Sequence, residues 1–190
     1  YINDDSGICK KTTPTMIAIF DHNVTYNEHA ELISSLSKYA TAMNTEVVII
    51  APHFDDIITN IIGSTIDSYL QQRKVPNIMM FQVPLSMEIH RQYLSDVVLL
   101  TNAQVFDYGK VRAFNVLVHN QKNDEKIEDA LLNVDQYKYE TPTEIIEKCV
   151  GKANYMIIAE KYILIQEYES IVNPTLYKAT LEKDKHQYLN

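Results

Sequence analysis

The sequence predicts an α/β domain, and three observations carry that expectation. First, Pro14 to Phe20, Val47 to Ile50 and Asn77 to Val83 are short apolar runs of the kind found in strands buried on both faces. Second, the segments after these runs carry apolar residues at helical three-and-four spacing. Third, Thr45 to Arg73 joins the two patterns: a β-branched run is broken at Pro52, and two aspartates then open an unusually apolar helix.

Taken in order, Tyr1 to Thr13 is polar, with a turn signal at Asp4-Asp5-Ser6-Gly7. The strand from Pro14 to Phe20 leads through Asp21-His22-Asn23 to a helix expected over about 27–43. Its apolar positions are Leu32, Ile33, Leu36, Tyr39, Ala40 and Met43. Asn44 closes that helix, because asparagine tolerates the left-handed conformation. After the Val47–Ile50 strand, Asp55 and Asp56 are placed to cap a helix and to face its positive end. From Ile57 onward, apolar residues at 57, 58, 61, 62, 66, 69 and 70 form a stripe wider than one buried face needs.

The third strand stops at Pro84, and a helix is expected from Met87 to Leu100. Val105-Phe106 reads as a short strand and Val111 to His119 as a strand with imperfect alternation. A short helix is expected over 126–134, and Thr143 as the cap of a helix through Cys149. Tyr155–Ala159 and Tyr162–Ile165 form a hairpin about Glu160-Lys161, and a charged helix is expected over 174–188.

The 190 residues suit a single domain with a real core. A net charge of -8 argues against nucleic acid as a general partner, since phosphate binding needs a basic surface. No apolar run approaches the roughly 18–20 residues of a membrane span. Neither a signal-peptide pattern nor an initiator Met is present, which reads as a cut point at Tyr1 inside a longer cytoplasmic protein. Two cysteines are too few for a disulfide framework, and the four glycines form no phosphate-binding loop.

Two functional readings compete for the central stretch. His53-Phe54-Asp55-Asp56 resembles the His-Pro-Asp-Asp-Glu motif of zinc-dependent sugar N-deacetylases. That likeness would make His53 and Asp56 metal ligands and Asp55 a general base. Phe54 and Ile57 depart from the motif, however, and no downstream His-x-x-His supplies a third ligand. The bland alternative makes the aspartates caps and His53 a loop residue.

The other reading is an interaction surface. The order of several strings is similar to the apical domain of a GroEL-type (group I) chaperonin. Tyr1-Ile2-Asn3-Asp4-Asp5-Ser6-Gly7 stands where that family has Phe-Ile-Asn, acidic residues and Gly. Val47-Val48-Ile49-Ile50-Ala51 matches its Leu-Leu-Ile-Ile-Ala strand, and Ile57 to Ser64 matches the helix Ala-Leu-Ala-Thr-Leu-Val-Val-Asn. His90 to Ala103, leading to Val105-Phe106, resembles its Arg-Lys-Ala-Met-Leu-Gln-Asp-Ile-Ala-Thr-Leu-Thr-Gly-Gly segment. Ile157-Ile158 and Ile163-Leu164-Ile165 fit its late hairpin. The departures are a missing Gly-Phe-Gly-Asp loop after Pro84 and a stretch of about 107–139 that is longer than the family's.

The resemblance implies one apical domain over 1–190 with the swivelling β/β/α fold and an atypical insertion. It implies a non-enzymatic fragment without a cofactor of its own, ATP and Mg belonging to the equatorial domain of a ring-forming ATPase. The implied partners are unfolded polypeptides and a co-chaperonin mobile loop, held in an apolar groove between two helices. Carried over by position, the groove residues are Tyr1, Ile33, Leu36, Ile58, Ile62 and Gly63; sliding the first helix by one residue would put Ser34 and Ser37 in the groove in place of Ile33 and Leu36. As groove residues these would be exposed when the groove is empty, whereas Leu32, Tyr39, Ile61 and Ile66 are expected to be core.

Overall fold

A computed structural model describes residues 8–12, 14–72, 77–83, 88–123, 141–159 and 163–167. Among these residues it is an α/β fold built on one mixed, six-stranded sheet. The strands are β1 (Ile8–Thr12), β2 (Thr15–Ile19), β3 (Glu46–Ala51), β4 (Ile78–Gln82), β5 (Gly151–Ala159) and β6 (Ile163–Glu167). The helices are α1 (Tyr26–Ala42), α2 (Asp56–Gln71), α3 (Glu88–Thr101), α4 (Tyr108–Asn123) and α5 (Pro142–Cys149).

β2, β3 and β4 run parallel and in sequence order, with Ile17 opposite Val48 and Val48 opposite Met79. β5 is antiparallel to β2 on its other side and carries β6 on its far edge. β1 continues the line of β2 along β5: Thr12 faces Met156 and Thr15 faces Ala153, so the two short strands share one register across the Pro14 break. Pro14 interrupts the strand because it has no N–H to donate to the ladder.

Side-chain alternation along the parallel strands divides the core in two. Met16, Ala18, Phe20, Val47, Ile49 and Ala51 meet residues of α1, α2, α4 and α5 on one face. Ile17, Ile19, Val48 and Ile50 meet Leu94 of α3 and Ala103 on the other. Both faces of β2 and β3 are therefore covered, which is why these strands read as continuous apolar runs.

The expected helix closure and cap are present. Asn44 has φ of 50°, and Asp55 accepts a hydrogen bond from Ile58 N at 2.7 Å. Three expectations need correction. Val111–His119 is helical: Val111, Ala113, Phe114, Leu117 and Asn120 are buried, a helical set and not an alternating one. The helix is opened by Asp107, whose Oδ1 accepts from Lys110 N at 2.9 Å. The cap of α5 is Thr141, which accepts from Glu144 N, and Pro142 occupies the first helical turn where its missing N–H costs nothing. Val105-Phe106 shrinks to a single parallel bridge between Phe106 and Phe20. β1 was not anticipated. The expected helices over 126–134 and 174–188 and the Glu160-Lys161 turn lie outside the described residues.

Candidate functional site

α1 and α2 follow successive parallel strands and pack side by side on the same face of the sheet. Their amino ends are fastened together. Val24 and Phe54 form a parallel bridge, with Val24 N donating to His53 O at 2.9 Å and Asp55 N to Val24 O at 3.0 Å. The Asp55 carboxylate then spans both helices: Oδ1 accepts from Ile58 N and Oδ2 from Tyr26 N, each at 2.7 Å. These backbone donors hold the Asp55 carboxyl below the usual carboxylate range. At the other end of α1, Asn77 Nδ2 donates to Ser37 O at 3.1 Å and to Thr41 Oγ1 at 2.6 Å.

Between the two helices runs a groove of about 270 Å³. Ile33, Ile58, Ile62 and Ile78 form its floor, while Ser34, Ser37, Lys38, Ile61 and Thr65 stand along its sides. The expected exposures of the groove and core residues are reversed on α2. Ile58 and Ile62 are each 2 % exposed and belong to the core, whereas Ile61 is 45 % and Ile57 54 % exposed. Helix rotation is the cause: positions 58 and 62, four apart, face the sheet, so 57 and 61 turn to solvent. Leu36 is buried in the core and is not among the groove's described lining residues. Gly63 also lies outside that lining, and a Cβ there would meet nothing within 4 Å. Tyr1 lies outside the described residues. Leu32 is core as expected, and Tyr39 and Ile66 pack against it half-buried.

The residues proposed for zinc do not converge. His53 and Asp56 are exposed, and both Asp55 oxygens are occupied by backbone amides. Among the described residues no group of three His, Cys, Asp or Glu side chains is arranged to hold a metal ion. The buried Cys149 thiol is pushed up to about 11 by burial, so it stays protonated and is a poor nucleophile.

A second concentration of polar groups lies past the carboxyl end of β2. His22 Nδ1 is 2.8 Å from Asp21 Oδ1, and His22 Nε2 is 2.9 Å from His29 Nε2. The Tyr108 ring stacks on His22 at 3.8 Å between centroids, and Phe20 presents its ring to both imidazoles at steep angles. Beside it is a cleft of about 560 Å³ between the start of α1 and α4, bordered by Glu28, Tyr108, Arg112, Asn115 and His119. Sequence reasoning passed over the histidine pair. The available signal was His29 itself, which falls on the buried stripe of α1 with Leu32, Ile33, Leu36 and Ala40. A histidine on an apolar stripe implies a buried, partnered ring.

No family model matches the chain, and no curated protein matches it. Among the described residues no helix is long and apolar enough to cross a membrane.

Asp55 gives the site a specific acid dependence. Its folded carboxyl titrates below its ordinary value of 3.8, so its stabilising contribution is complete above that value and is lost as pH falls through the lowered one. Asp55→Asn, which keeps an acceptor oxygen but not the charge, should flatten the stability profile below about pH 4. Thermal melts of both proteins from pH 6 to pH 2 check this; parallel profiles would remove Asp55 from the account.

Proposed function

We propose that this chain holds exposed apolar segments of non-native polypeptides in the groove between α1 and α2, as the apical domain of a divergent GroEL-type chaperonin does. The observation that carries the reading is Ile61: it stands half open to solvent along the side of the groove while the floor is closed by Ile33, Ile58 and Ile62. Ile57, one turn earlier on α2 and outside the described lining, extends the exposed apolar surface. A groove of this kind binds by apolar contact and does not read sequence, which suits clients that share only exposed hydrophobicity. The order of matching strings supports the same reading. With it come the swivelling β/β/α classification, a co-chaperonin loop as a competing occupant, and assembly into a cytoplasmic ring. ATP and Mg would be bound by another domain of the subunit, and this fragment would catalyse nothing itself.

Revised by the observed exposures, the client-contacting residues are Ile61 at the rim and the exposed Ile57 next to it on α2, with Ile33, Ile58 and Ile62 as supporting floor. Each half-exposed isoleucine contributes roughly 1 kcal/mol when covered by a client. The double variant Ile57→Glu/Ile61→Glu should therefore weaken capture of a fluorescently labelled denatured client by roughly 10–100-fold. Its melting temperature should stay close to the parent's, since exposed substitutions change stability by only about 0.5 kcal/mol. Undiminished binding by a folded double variant would reject the groove. A single domain binds weakly, and a ring presenting several grooves to one chain would recover affinity through effective concentration.

A further inference from the structure

We propose that His22 and His29 form a proton-operated latch that holds the amino end of α1 against the carboxyl end of β2, and that a second proton on the pair releases that end together with Tyr108. The hydrogen bonds around the two rings admit two states in which every ring nitrogen has a partner. With both rings neutral, Thr25 N donates to His29 Nδ1 at 3.1 Å, His29 Nε2 donates to His22 Nε2 at 2.9 Å, and His22 Nδ1 donates to Asp21 Oδ1 at 2.8 Å. With one added proton, His22 donates from both nitrogens. His29 then accepts at Nε2 and carries its proton on Nδ1, which donates to Thr25 O, also 3.1 Å away, while Thr25 N gives up Nδ1 as its acceptor. Each state leaves every ring nitrogen with a partner.

A second proton has no such arrangement. Both Nε2 atoms then carry hydrogens that face each other across 2.9 Å, and two positive charges share one buried site. The rings have little room to separate in place. His29 is fully buried and His22 is 7 % exposed; Phe20 contacts both, and Tyr108 covers His22. Tyr108 is the yielding side, being 60 % exposed at the start of α4.

The groups that act on the pair come from each neighbouring element: Asp21 from the loop after β2, Glu28 from α1, Asp55 from the loop after β3, and the Tyr108 ring from α4. Glu28 and Asp55 favour a charged His29, but burial and the charge of His22 outweigh them and hold its pKa below the ordinary 6.5. A folded value below the unfolded one means that the latch is intact above about pH 6.5 and weakens as pH falls toward the lowered value. This window is separate from that of Asp55, which opens only below 3.8.

Amide hydrogen exchange at pH 7.5, 6.0 and 5.0, corrected for the intrinsic pH dependence of exchange, tests the latch on the intact chain. The amides of His29 to Ile33 and of Val111 to Phe114 should lose protection by about tenfold or more by pH 5.0, while those of β3 keep theirs. Imidazole ¹⁵N resonances followed over the same range should show one ring protonating first and the second only as the Tyr108 ring signals shift. His22→Gln, which pairs without titrating, should make exchange at His29 to Ile33 insensitive to pH. His53→Gln, at an exposed site, should leave the parent's response intact. Two protonated rings with unchanged protection would overturn the proposal, as would loss spread evenly over the whole sheet or an undiminished response in His22→Gln. Should His22→Gln fail to fold, the ring-nitrogen titration of the parent chain decides alone.

Discussion

Ile58→Glu and Ile62→Glu unfold the domain, whereas Ile61→Glu leaves it folded. Ile58 and Ile62 sit against the sheet in the larger core cluster, each 2 % exposed, where a carboxylate would be taken out of water. Desolvating an unpaired charge there costs several kcal/mol, and the loss of the isoleucine's own packing adds about 2–5 kcal/mol. Against a typical total stability of roughly 5–15 kcal/mol, that sum is ruinous. Ile61 is nearly half exposed, so a glutamate at that position remains in water. Urea unfolding followed by circular dichroism separates the three variants. A midpoint for Ile62→Glu equal to that of Ile61→Glu would show that the floor of the groove is not part of the core.

Gly151→Val should be nearly as damaging, for a steric reason. A Cβ at position 151 would lie 2.5 Å from Thr101 Oγ1 and 2.7 Å from Ala103 Cβ. Neither neighbour is a flexible chain end. Thr101 Oγ1 is bound to Val97 O at 2.6 Å, and both residues close the end of α3 against β5. Gly151 also pairs with Ile17 in the middle of the sheet, so the backbone cannot retreat without breaking the ladder. Overpacking of this kind costs about 1–3 kcal/mol for one methyl, and a branched side chain adds more. Gly151→Ala and Gly151→Val should lower the urea midpoint in that order; parent-like midpoints for both would mean that the close approach of α3 and β5 is not required.

The parallel strands were legible because burial on both faces leaves a continuous apolar signature, and α1, α2 and α3 because their stripes repeat at helical spacing. α4 was not. Phe114, Val116 and Val118 mimic strand alternation, and its true face emerges only with Val111, Phe114 and Leu117 packed against α1 and α5. The sequence contained the correcting sign in Asp107, a cap three residues before Lys110. β1 escaped because its Cys9-Lys10-Lys11 run carries too little hydrophobicity to read as a strand; pairing with β5 supplies the missing information.

At the groove, the spacing of apolar residues foretold that α2 carries more apolar surface than its core contact uses. Which isoleucines remain outside is a matter of rotation about the helix axis. A stripe as broad as Ile57, Ile58, Ile61 and Ile62 leaves that rotation undefined until the sheet is present. The His22–His29 pair joins a loop to a helix, so no periodic pattern reports it.

The sheet arrangement also dictates an order of assembly. β2, β3 and β4 are joined by single helices, so their pairings close short loops. β5 pairs with β1 and β2 across most of the chain, and such distant contacts form late. Until β5 arrives, Thr15 to Ile17 present an apolar strand edge with unpaired amides and carbonyls, a template for any other extended chain. During synthesis that edge is complete long before its partner has left the ribosome. The nascent domain therefore passes through an interval in which it is itself a sticky, unfinished polypeptide, the kind of client its finished groove is proposed to hold.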